Sequence, residues 1–140
     1  LMADTLYTTT AVSQGGRAGG KVALQEGGLY FHMEHSKGLG GTGEGSNPEQ
    51  LFALGWANCF NSAVAFVAAQ KKIDAAKAIV KCEVGIGRTD GGLGLSATIT
   101  LAVPGMDRAQ VQELIDAAHQ VCPYSKATRN NIPVELVVEG

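Results

Sequence analysis

Two residues of this chain carry thiols that chemistry could use together, Cys59 and Cys122. A third residue, Arg17, could make one of them reactive. Cys59 lies inside "LGWANCFNSAVAFVAA" (54–69), and Cys122 sits just before Pro123. The thiolate is the nucleophilic form of cysteine, and an apolar surrounding disfavours it. A cysteine buried among apolar side chains is therefore usually packing. Reactivity requires a nearby cation, and cations are scarce. From Val22 to Gln70 only Lys37 is basic, histidines aside. Arg17 stands among four glycines in "SQGGRAGG" (13–20), which allow close backbone approach. A plain turn with an exposed arginine is the bland reading of the same stretch.

These side chains need helices to face each other. Phe52, Trp56, Cys59, Ala63 and Phe66 recur at helical spacing, which predicts a helix from about Pro48 to about Lys72. Ser46 and Glu49 have capping-box spacing, and Pro48 suits the first turn. Val111, Leu114, Ile115, Ala118 and Cys122 form the stripe of a second helix. Asp107 is its expected cap, and Pro123 is expected to end or kink it. If the two helices pack, the two sulfurs can meet.

Strands are expected at 6–12, 21–25 and 29–34, the last two joined at "EGG" (26–28). Alternation on both sides of "TDGG" (89–92) predicts two more within 79–103, and "IPVELVVE" (132–139) a final one. The order βββ-α-ββ-α-β implies an α+β fold with a mostly antiparallel sheet. With 140 residues, 45% hydrophobic and 17% charged, the chain is expected to form one globular domain over 1–140. Leu1 ahead of Met2 reads as a processing remnant, and the opening residues lack a secretory pattern.

Several other chemistries fit poorly. The net charge of −2 and the absence of a basic tract argue against nucleic acid. "GLGGTG" (38–43) matches G-x-G-x-x-G in form, but it does not sit on a strand-to-helix turn and reads as a glycine-rich loop. His32, His35 and His119 lack the companions that zinc needs, so no metal is expected. Cys82 alternates with Val80, Val84 and Ile86 and reads as core. Three cysteines at wide spacing fit a reducing, cytoplasmic setting. The uncharged run between Glu49 and Lys71 is long enough to span a bilayer. Asn58, Asn61, Ser62 and Gly55 within it, and no basic bias beside it, favour a core helix without membrane contact.

Taken together, "GGRAGG", "GSNPEQLFALGWANCF" and "VCPYSKATRNNI", in this order, resemble the organic hydroperoxide resistance (Ohr) branch of the Ohr/OsmC superfamily. The resemblance covers essentially the whole chain. It implies a thiol peroxidase for organic hydroperoxides, fatty-acid ones included, working as an intertwined homodimer. By position Cys59 would be the peroxidatic cysteine and Cys122 the resolving one. Arg17 would stabilise the thiolate, and Glu49 would orient Arg17. Phe52, Trp56, Phe60 and Tyr124 would wall the substrate pocket, although each also fits ordinary core. No bound cofactor is implied; an external dithiol, typically a lipoyl group on a protein, would recycle the cysteines. Asn58 and Asn130 depart from the usual pattern without removing a catalytic group.

One geometric point is independent of the resemblance. Cys59 follows Glu49 by ten residues, roughly 15 Å of rise on a straight helix. Unless the helix breaks at Gly55, Glu49 and Arg17 are expected to serve the Cys59 of a second chain. Two other functions fit the same residues: an OsmC-like thiol peroxidase of broader range, and a non-enzymatic module for an apolar ligand.

Overall fold

The computed structural model describes residues 4–139, so the reading of Leu1 lies outside the described residues. The chain divides into two compact units, one ending at Leu51 and one beginning at Phe52.

In the first unit, β1 (Ala11–Gln14), β2 (Lys21–Leu24) and β3 (Tyr30–His32) form an antiparallel sheet in that order. β1 starts later than the expected 6–12. Leu6 and Tyr7 are exposed, and β propensity alone does not extend a strand past its paired neighbour. A 3₁₀ turn follows at Lys37–Leu39 inside the glycine-rich loop. Met33 and Ser46 pair as an isolated bridge, which closes that loop. The cap of the next helix differs from the expected one. Asn47 Oδ1 accepts the Gln50 backbone N–H at 2.9 Å, so Asn47 caps in place of Ser46. Glu49 is thereby released from the capping box.

That helix, α1 (Pro48–Gln70), ends two residues before the expected Lys72, which has a left-handed φ of 57°. It is long and apolar enough to cross a membrane by composition. In the second unit, however, it buries Trp56, Phe60, Ala63, Val64, Val67 and Ala68 in one core. The expected stripe needs one correction. Phe66 is exposed, because the buried face turns through Val64 and Val67 instead.

β4 (Ile79–Thr89) and β5 (Gly92–Ala102) form a long antiparallel hairpin, and β6 (Val134–Glu139) joins β5 in parallel. The sheets are thus mostly antiparallel, with one parallel pair. Val80, Cys82, Val84 and Ile86 face inward as expected, and so do Ala97, Ile99 and Leu101. α2 (Arg108–Val121) buries Val111, Leu114, Ile115 and Ala118. Asp107 occupies its cap position without a side-chain hydrogen bond. Pro123 ends this helix and opens a second short one, α3 (Pro123–Thr128), which sequence periodicity did not resolve. The core brings together α1, α2 and the inner face of the β4–β5–β6 sheet. The fold class is α+β, as expected.

Candidate functional site

The two elements of chemistry lie one in each unit. In the first unit, Arg17 sits on the turn between β1 and β2. This turn demands glycine. A β-carbon at Gly20 would fall on the Gly16 and Gln14 carbonyl oxygens, and Gly16 has a left-handed φ of 60°. The compact turn directs Arg17 onto the first turn of α1. Arg17 Nη1 donates to Glu49 Oε2 at 2.9 Å and Nη2 to Glu49 Oε1 at 2.6 Å. This is a two-pronged pairing of guanidinium and carboxylate, which fixes the orientation of the plane. The hydrogen bonds from Arg17 hold the Glu49 carboxyl below its usual range, against the opposing effect of burial. The same contact holds the Arg17 guanidinium in its charged form.

In the second unit, Cys59 Sγ and Cys122 Sγ are 3.7 Å apart. Cys59 is half-buried and Cys122 fully buried, and both are free thiols. Cys122 is the residue at which α2 ends and α3 begins, with extended backbone (φ −62°, ψ 123°). Two contacts brace that corner. His119 Nδ1 and Ser125 Oγ share a hydrogen bond at 2.9 Å, and Arg129 Nη2 donates to the His119 carbonyl. Burial pushes the Cys59 thiol up, and the Tyr124 backbone N–H pulls the other way. Cys82 is pushed up to about 11, chiefly by burial, which keeps it an inert thiol.

The expected wall residues fall into two pairs. Trp56 and Phe60 are fully enclosed in the core, and the Trp56 indole N–H has no partner among the described residues. Phe52 and Tyr124 are partly open, and their rings stack at 6.0 Å. Phe52 also packs on Trp56 at 5.3 Å. Sequence reasoning overlooked His119 and Ser125 as braces of the Cys122 corner. The placement of Ser125 three residues after Cys122 was the available signal.

The second unit thus sets a half-open and a closed thiol side by side at a helix corner on an α+β frame. The profile of the OsmC-like protein family matches residues 41–137. The organic hydroperoxide resistance protein of Xanthomonas axonopodis pv. citri is 47% identical over 135 residues, covering 95% of this chain and 94% of that one. The crystal structure of an organic hydroperoxide resistance protein from Legionella pneumophila superposes with a TM-score of 0.92 at 38% identity, covering 98% of this chain and 100% of that one. That of OhrB of Bacillus subtilis gives 0.87 at 37% identity, covering 96% and 100%. The chain belongs to the organic hydroperoxide resistance (Ohr) branch of this OsmC-like family.

Proposed function

We propose that this protein is a cysteine-based peroxidase that reduces organic hydroperoxides to alcohols. The observation that carries the reading is the 3.7 Å separation of Cys59 and Cys122, one half-open and the other sealed. The Cys59 thiolate attacks one peroxide oxygen. The O–O bond breaks, the alkoxide leaves and takes a proton as the alcohol, and Cys59 becomes a sulfenic acid. The Cys122 sulfur then attacks the Cys59 sulfur. The S–O bond breaks, the hydroxide takes the Cys122 proton as water, and a disulfide remains. An external dithiol such as a lipoyl group reduces it by exchange.

Burial disfavours the Cys59 thiolate, so attack on the peroxide requires a cation at its sulfur. Arg17, held by Glu49, supplies that charge and donates hydrogen bonds to the peroxide oxygens. α1 runs from Pro48 to Gln70 as one helix, and ten residues of it rise roughly 15 Å. In our reading the Arg17–Glu49 pair of one protomer therefore serves Cys59 of its partner in a homodimer. Exposed Leu54 and Phe66 on α1 supply apolar surface for such an assembly. Apolar neighbours such as Phe52 and Tyr124 suit an alkyl or fatty-acid hydroperoxide better than hydrogen peroxide. The chemistry fits a reducing, cytoplasmic setting.

The test is peroxide consumption with tert-butyl hydroperoxide or a lipid hydroperoxide and dihydrolipoamide. Cys59→Ser is expected to abolish even a single turnover. Cys122→Ser is expected to complete one turnover and then stall or over-oxidise. Full activity in Cys59→Ser overturns the reading, and faster use of hydrogen peroxide points to an OsmC-like enzyme of broader range. Mixing Arg17→Ala with Cys59→Ser protomers is expected to restore activity if the site is shared between chains.

A further inference from the structure

Gly55 lies one turn before Cys59 on the same face of α1. Its φ is not in the left-handed region, so the backbone does not call for glycine here. On helix propensity alone alanine would be the better residue here. What glycine provides is space. A β-carbon at this position would lie 2.8 Å from Tyr124 Oη and 3.3 Å from two carbons of the Tyr124 ring. The same ring stacks on Phe52 at 6.0 Å. It therefore lies along α1 between residues 52 and 55.

Tyr124 is in the first turn of α3, two residues after Cys122. The segment 122–124 thus meets α1 at two places one turn apart, by the Tyr124 ring at Gly55 and by the Cys122 sulfur at Cys59, 3.7 Å away. Thr128 Oγ1 donates to the Tyr124 carbonyl at 2.9 Å, which ties that residue into α3. A shift of the ring is therefore passed to the backbone that carries Cys122.

We propose that Gly55 is a positioning residue for the disulfide step: its missing side chain makes a seat for the Tyr124 ring, and the seated ring holds Cys122 against Cys59. The proposal rests on the peroxidase reading above, in which these two cysteines join. Bond formation brings the sulfurs to about 2.05 Å, a closure of roughly 1.7 Å from their separation in the reduced protein. A methyl group at residue 55 makes the ring give by a few tenths of an ångström at its carbons and forces Tyr124 Oη to move, since unstrained carbon contacts lie at about 3.5–4.0 Å.

The experiment separates the two half-reactions. Reduced protein is mixed with cumene hydroperoxide and quenched at intervals. Dimedone trapping reports the Cys59 sulfenic acid, and mass spectrometry reports the disulfide. Gly55→Ala is expected to oxidise Cys59 at the wild-type rate and to close the disulfide about tenfold more slowly. Sulfinic acid at Cys59 then accumulates under excess peroxide. Adding Tyr124→Phe, which removes the nearest atom, is expected to recover closure. If Gly55→Ala does not fold, Tyr124→Ala empties the same seat from the exposed side; because Tyr124 also lines the substrate side, its closure rate alone is read, from sulfenic acid already formed, and is expected to fall. Wild-type closure in the foldable variant, equal slowing of both steps in Gly55→Ala, or no recovery in the double variant overturns the proposal. Failure of the peroxidase reading looks different: the wild-type protein itself then forms no Cys59–Cys122 disulfide.

Discussion

Replacing Ser125 with alanine tests whether the corner that carries Cys122 is held by a specific bond. Ser125 is fully buried, and its hydroxyl meets His119 Nδ1 at 2.9 Å across the junction of α2 and α3. Removing the hydroxyl leaves a partly buried ring nitrogen without its partner. An orphaned buried polar group costs about 1–3 kcal/mol, more than the net value of the bond itself. His119→Phe keeps a ring beside Phe60, whose centroid is 6.4 Å away, and leaves the serine as the orphan. The double variant His119→Phe/Ser125→Ala removes both partners. Its destabilisation is expected to fall short of the sum of the two single changes by about 1 kcal/mol or more. Urea unfolding at neutral pH, with unchanged denaturant slopes, is the assay. Effects that simply add, to within about 0.5 kcal/mol, would refute the claim that the two side chains act as one brace.

Further outcomes follow from the same geometry. Arg17→Lys supplies one charge in place of a two-pronged fork, and Glu49→Gln removes the anion that holds it; each is expected to slow Cys59 oxidation by about 10- to 100-fold, read by stopped-flow with an organic hydroperoxide. Phe60→Ala is expected to cost about 3–5 kcal/mol in chemical denaturation, whereas Phe66→Ala, on the exposed face of α1, should leave the isolated fold nearly unchanged. Stability is expected to fall with acid in two stages. Burial holds His119 below its ordinary value, so its contribution is complete above about 6.5 and is lost as pH falls through its lower folded value. Glu49 is also held low, by Arg17, so its contribution is complete above about 4.3 and is lost below that. Denaturation curves across pH in wild type and His119→Phe check this, because the variant should lack the first stage.

Much of the fold was legible because its signals were strong. Val80, Cys82, Val84 and Ile86 alternate without interruption, and all four lie within β4 (Ile79–Thr89) with the same alternation in burial. The stripe of α2 repeats cleanly from Val111 to Ala118, and Pro123 marks its end. Other features depended on contacts that are distant in sequence. α3 is six residues long, too short to show a period, and it exists because Pro123 can open a helix at the corner. Ser46 and Asn47 are both good caps, and the 2.9 Å bond from Gln50 decides for Asn47. Threonines at 8–10 have high β propensity, yet pairing with β2 begins only near Ala11. α1 is apolar nearly all round, so the sequence could not tell that Phe66 points out while Val67 points in.

The candidate site divided in the same manner. The sequence left the meeting of Cys59 and Cys122 conditional on the packing of two helical stripes, and the sulfurs lie 3.7 Å apart. The grip of Glu49 on Arg17 depended on a glycine turn and a displaced cap, neither of which has a period to read. The contact of the His119 ring nitrogen with Ser125 crosses a helix corner, where no period marks it in the sequence. Among the described residues, no group of three or more His, Cys, Asp or Glu side chains is placed to hold a metal ion.

In the proposed cycle Cys59 and Cys122 form one redox pair and Cys82 takes no part. Intact-mass and peptide mapping of the fully reduced protein, treated with one equivalent of cumene hydroperoxide, tests it most directly. The expected product has lost two hydrogens, carries a Cys59–Cys122 cross-linked peptide, keeps Cys82 as a free thiol and has released cumyl alcohol. A disulfide through Cys82, or a protein unchanged in mass with the hydroperoxide intact, would rule out that pairing.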